Sequence, residues 1–128
     1  MVFVHGTLAG TGYFYKIFPE LDRNILSIDL PGFGESERLD LDNPEEAWTM
    51  ALRTIIEQEI DGNYIIISHS LGSYLVGSML LRPPDSPVHR FSTGNLEALI
   101  FLDPWGFTNQ HDGSPYHIIY NHDQSLFS

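Results

Sequence analysis

The 128-residue sequence contains no cysteine, which excludes disulfides and thiolate metal sites and suits a reducing, cytoplasmic setting. Basic residues are scarce as well. Six Lys and Arg face 17 Asp and Glu, for a formal charge of −11. So acidic a chain has no electrostatic footprint for nucleic acid and no polybasic segment to hold an anionic membrane. No apolar run approaches the roughly 20 residues that a transmembrane helix needs. Met1 leads straight into Val2-Phe3-Val4 with no charged stretch before it, so no signal peptide is expected. Repeats and biased tracts are absent, and no His spacing suggests a metal site. No cofactor is expected.

What is present reads as one globular domain, with 42% hydrophobic residues to build its core. Four short apolar runs are the strand candidates: residues 2–5, 24–30, 64–67 and 98–102. The third is apolar throughout, an aromatic residue and three β-branched ones, which predicts burial on both faces, as in a parallel sheet. Between them lie helical patterns. Residues 13–21 suggest a short helix ending near Pro19. The clearest helix starts at Asn43 as N-cap, with Pro44 in its first position and Glu46 completing a capping-box pattern. Its apolar side is Trp48, Leu52, Ile55 and Ile56, and Gly62 is the expected C-terminal stop. Residues 71–82 form the next helix, before Pro83-Pro84. Strands alternating with helices argue for an α/β fold with a parallel sheet. In such a fold the crevice lies at the carboxyl ends of the strands. Four motifs follow the four strands: His5-Gly6, residues 29–36, residues 68–72 and residues 103–106. All are expected at that one edge.

Chemistry enters at Ser68-His69-Ser70-Leu71-Gly72, between a strand and a helix. It matches the nucleophile elbow G-x-S-x-G with Ser68 in place of the first Gly. The elbow needs small residues two before and two after the nucleophile, Ser70. Ser68 is small enough and Gly72 ideal. The competing reading is an ordinary strand-to-helix turn. The oxyanion of an acyl-transfer intermediate would be held by the backbone N–H of Leu71 and that of Thr7, reached past Gly6. His69 reads as a packing residue, because its side chain leaves the strand end in another direction from Ser70. Asp29 reads as structural, accepting turn N–H groups. Asp103 is either a turn cap or the acid that orients a histidine. His111, His117 and His122 follow Asp103 in the order that a Ser–acid–His triad requires, but no spacing selects one.

These segments, and above all Phe101-Leu102-Asp103-Pro104-Trp105-Gly106-Phe107, resemble one branch of the α/β-hydrolases. The branch holds the N-acyl-phosphatidylethanolamine lipases and lysophospholipases, and the lipid-droplet coactivator of adipose triglyceride lipase. The resemblance implies a partial α/β-hydrolase fold, strands three to six of the family sheet, across residues 1–128. Residues 1–106 are then core and 107–128 the entry to the cap. It implies ester or N-acyl hydrolysis on (lyso)phospholipids, with lysophosphatidic acid acyltransfer as a related activity. Peripheral contact with membranes or lipid droplets follows. The family's His and usual acid fall outside this span, so the isolated chain is expected to be inactive. A non-catalytic regulatory binding protein is the alternative. In the coactivator the nucleophile position carries Asn, so Ser70 favours the hydrolase members. Two departures stand out: Ser68 for Gly, and a long connection at residues 83–95.

Overall fold

The computed structural model describes residues 1–38, 42–81 and 95–104. Within them, four strands form one fully parallel sheet. They are β1 (Val2–Val4), β2 (Leu26–Ile28), β3 (Tyr64–His69) and β4 (Leu96–Leu102), in the order β2-β1-β3-β4. Two helices, α1 (Pro44–Glu59) and α2 (Leu71–Leu81), provide the crossovers to β3 and toward β4. The expected parallel α/β arrangement is therefore observed. The chain steps from β1 outward to β2, then returns past β1 to β3. That reversal places a topological switch point between β1 and β3, where α/β sheets open their crevice.

Local chemistry explains α1. The Asn43 side chain accepts from the Glu46 N–H at 3.3 Å, and Pro44 occupies the first turn. The other half of the expected box differs, because Asn43 Nδ2 meets the Glu46 carboxylate instead. Leu52 and Ile56 are buried as the spacing requires, and Thr49 joins them, its hydroxyl donating to the Glu45 carbonyl at 2.8 Å. The helix stops before Gly62. Ile60 already turns extended, and its side chain packs against the core. Gly62, at φ 113°, belongs to the turn into β3. Residues 13–21 hold no α-helix. Two 3-10 turns, Thr11–Tyr13 and Phe18–Glu20, take its place. Pro19 has no N–H to bond back along the chain, and it opens the second turn instead.

β3 is one of the two inner strands and is largely buried, as its continuous apolarity predicted, and it runs two residues further than expected, through Ser68 and His69. The main core lies between the sheet and the two helices, with Val4, Leu30, Leu52, Ile66, Leu75 and Met79 at its centre. A smaller cluster on the opposite face consists of Phe3, Phe14 and Ile67, edged by Met1, Phe18, Leu21, Ile25 and Ile65. The 83–95 connection, apart from Asn95, lies outside the described residues, as do Trp105, Gly106 and Phe107 and all of residues 107–128.

Candidate active site

The parallel pairing aligns the strand ends. Val4 stands beside Ile28 and beside Ser68, and His69 stands beside Leu102. His5-Gly6, Asp29, Ser70 and Asp103 thus leave the sheet on one edge, as the sequence had implied. The two that flank the switch point are the Gly6 loop and the Ser70 turn.

Ser70 has φ 50°, a left-handed backbone that non-glycine residues seldom adopt. Such strain persists only where surrounding structure fixes it. Three contacts do so here. The Ser70 N–H donates to the Leu102 carbonyl at 3.2 Å, which ties the elbow to the end of β4. The Ser70 carbonyl accepts from Ser73 and Tyr74 and starts α2. Gly72 then presses on the end of β1. A Cβ there would lie 2.5 Å and 2.6 Å from the carbonyl oxygens of His5 and Val4. Gly6 presses back, since a Cβ at that position would meet the Ser70 Cβ and His69 Nδ1, each at 2.8 Å. The absence of a side chain at both positions lets the end of β1 and its loop press against the elbow.

Ser68 is fully buried, and its hydroxyl donates to Ser73 Oγ at 3.1 Å. This pairing explains how a hydroxyl is tolerated where the motif usually has hydrogen. Ser73 was not singled out from the sequence, and nothing local marks it. The two residues meet only because the turn folds α2 back onto β3.

His69 packs, as its position suggested. Its ring stacks on Tyr13 at 4.4 Å with a 17° tilt, and Nε2 lies 3.3 Å from the Tyr13 hydroxyl. Nδ1 is buried against the Gly6 backbone without a hydrogen-bond partner. Tyr13, 56 positions earlier, was another residue the sequence did not reveal.

The N–H of Leu71 is among the first-turn donors that a helix leaves without an internal partner. Thr7 is exposed on the loop after Gly6, and Leu8 behind it takes φ 58°. Asp29 is structural. Its carboxylate accepts the N–H groups of Thr11 and Glu35, and its carbonyl accepts the Ser36 hydroxyl at 2.7 Å. Partial burial pushes its pKa upward. The backbone N–H bonds from Glu35 and Thr11 outweigh that, holding the carboxyl below its ordinary value. Asp103 is exposed at φ 45°, directly after the carbonyl that holds Ser70. It stands at the right edge for an acid, but among the described residues no imidazole pairs with it. His89, His111, His117 and His122 fall outside the described residues.

Comparison with known proteins accords with this geometry. The model of the alpha/beta hydrolase family matches residues 1–124. The (lyso)-N-acylphosphatidylethanolamine lipase of Bos taurus is 32% identical over 113 residues, 84% of this chain and 30% of that protein. A probable 1-acylglycerol-3-phosphate O-acyltransferase of Oryza sativa is 28% identical over 121 residues, 89% of the chain and 27% of its own length. Among solved structures, a methylesterase from Arabidopsis superposes with a TM-score of 0.63 at 25% identity, covering 80% of this chain and 42% of that one. The chain belongs to the alpha/beta hydrolase family, in the branch that includes the (lyso)-N-acylphosphatidylethanolamine lipases. It spans about a third or less of the length of the lipase and the acyltransferase.

Proposed function

We propose that the chain carries the nucleophile and oxyanion side of a serine hydrolase for ester or N-acyl bonds of (lyso)phospholipids. The observation that carries the reading is Ser70, held at φ 50° on the crevice edge and wedged against the Gly6 loop. In the proposed chemistry, Ser70 Oγ attacks the acyl carbonyl while an imidazole takes its proton. The N–H groups of Leu71 and Thr7 receive the oxyanion, and the imidazole returns the proton to the departing alcohol or amine. Water then releases a fatty acid. If the hydroxyl of a lysophosphatidic acid resolves the acyl-enzyme instead, the product is the acylated phospholipid. The lipase and acyltransferase relatives support both outcomes and a lipid substrate. No described helix is long and apolar enough to cross a membrane, so access to lipid is proposed to be peripheral, at a membrane or droplet surface.

Among the described residues neither histidine is free to act as base. Both nitrogens of His5 are bonded, and His69 is stacked under Tyr13. This favours, as a second reading, a non-catalytic lipid-binding role for the chain taken alone. Labelling by a fluorophosphonate probe, wild type against Ser70→Ala, tests both readings. The 128-residue chain is expected to label slowly. A version extended by the flanking sequence of its gene is expected to label fast, and only with Ser70 present. Failure of the extended version to label at Ser70 overturns the hydrolase reading and leaves the binding one.

A further inference from the structure

The first residue after β1 is His5, 1% exposed and bonded through both ring nitrogens. Nε2 lies 3.0 Å from the backbone nitrogen of Leu30, and Nδ1 lies 2.7 Å from the carbonyl oxygen of Gly6. A backbone N–H can only donate and a carbonyl can only accept. Nε2 therefore carries no proton and Nδ1 carries one. The contacts assign a single neutral form to this ring. Phe33 stands edge-on to it at 5.3 Å, backed by Trp48 at 5.7 Å. Trp48 is in turn fixed by its Nε1–H on the Pro31 carbonyl at 2.9 Å. The ring is locked on every side that these contacts reach.

The acceptor matters most. The Gly6 carbonyl and the Thr7 N–H belong to the same peptide unit. That unit is planar and trans, so the two groups point in opposite directions. Drawing the Gly6 oxygen onto His5 turns the Thr7 N–H away from His5. It also polarises the peptide, making that N–H a better donor. Glycine at position 6 leaves the peptide otherwise easy to rotate. Residue 6 already touches the nucleophile, its Cβ direction pointing at the Ser70 Cβ.

We propose that His5 is a positioning residue: its Nδ1–H holds the Gly6 peptide so that the Thr7 N–H is aimed for the oxyanion before substrate arrives. This rests on the reading of Thr7 as an oxyanion donor. The Leu30 bond serves to fix the tautomer and the ring, so the two nitrogens have separable tasks. An Asn at position 5 places its amide N–H near the Nδ1 position but cannot reach Leu30. A Gln reaches Leu30 with its carbonyl but leaves the Gly6 oxygen unbonded.

The test combines two readouts. In the 128-residue chain, ¹⁵N NMR of the His5 ring is expected to show a protonated Nδ1 and a bare Nε2, the reverse of the form that free imidazole side chains prefer. Residual dipolar coupling of the Thr7 amide is expected to match the wild type in His5→Asn and to change in His5→Gln. A protonated Nε2, or a Thr7 amide that follows Gln rather than Asn, overturns the proposal. The ring readout needs no variant, so a variant that fails to melt cooperatively leaves it intact. In the extended, probe-reactive chain, His5→Gln is expected to slow Ser70 labelling roughly 10- to 100-fold, toward the loss of one oxyanion donor, while His5→Asn stays within about threefold. A merely structural role would give the opposite order, because Asn removes more of the packed side chain. A Thr7 amide that responds to Gln without any change in labelling supports the anchor and overturns the oxyanion assignment of Thr7.

Discussion

The two faces of the sheet are built from one alternating set of side chains but finished differently. On the face under α1 and α2, Ile66, Leu75, Val76 and Met79 are essentially inaccessible. On the opposite face, Phe3, Phe14 and Ile67 are buried, yet the same row continues along β4 to Ile100 and Leu102, which are 42% and 39% exposed. Adjacent strands of equal apolarity thus differ in burial according to what lies over them. Strand composition reports capacity for burial, and the neighbouring element decides whether that capacity is used.

The contrast is sharpest in mutational cost. Leu75→Ala is expected to lower stability by about 3–4 kcal/mol in urea unfolding, the range for a core truncation that leaves a cavity. Ile100→Ala is expected to cost under about 1 kcal/mol, since much of its side chain already meets water. Comparable costs would erase the distinction between the faces. β4 also ends the described sheet, an apolar edge of the kind that pairs with other chains. Ile100→Lys is accordingly expected to shift the chain from oligomers toward monomer in size-exclusion chromatography without a large change in melting temperature.

A smaller effect probes the covered side of the elbow. Ser73→Ala strands the buried Ser68 hydroxyl and is expected to cost about 1–2 kcal/mol. The double variant Ser68→Gly with Ser73→Ala is expected to recover most of the loss, because no hydroxyl is then left without a partner. A double variant as unstable as the single one would mean that the pair contributes nothing specific.

The smallest effect concerns pH. The Asp29 carboxyl sits below its ordinary pKa when folded. Its contribution is therefore present above the unfolded pKa of about 3.9 and fades as pH falls through the lower folded value. Asp29→Asn is expected to lower the urea midpoint at pH 7 and to narrow the gap to wild type near pH 3. A gap that widens in acid would contradict the sign.

The sequence was most legible where structure depends on near neighbours. Asn43, Pro44 and Glu46 announced the start of α1 because a cap is settled within four residues. The unbroken apolarity of residues 64–67 announced an inner strand. Local pattern misled at residues 13–21, where a few apolar spacings did not outweigh Pro19, and at Gly62, which lies beyond a helix that the core had already turned at Ile60. Asp29 was legible as structural because acidic turn residues favour nearby N–H groups, and Glu35 is six residues on.

By itself, then, the chain's chemistry determined the strands, the order of the strand-end motifs and Ser70 as the candidate nucleophile. Each follows from short-range periodicity and turn sterics. Only the tertiary structure decided that Gly6 meets Ser70, that Gly72 meets the end of β1, that Ser68 finds Ser73, that Tyr13 covers His69, and that His5 is bonded to Leu30. Apart from Ser68 and Ser73, these pairs lie dozens of residues apart and are joined by parallel crossovers. Such connections bring together groups whose sequence separation carries no trace of the contact.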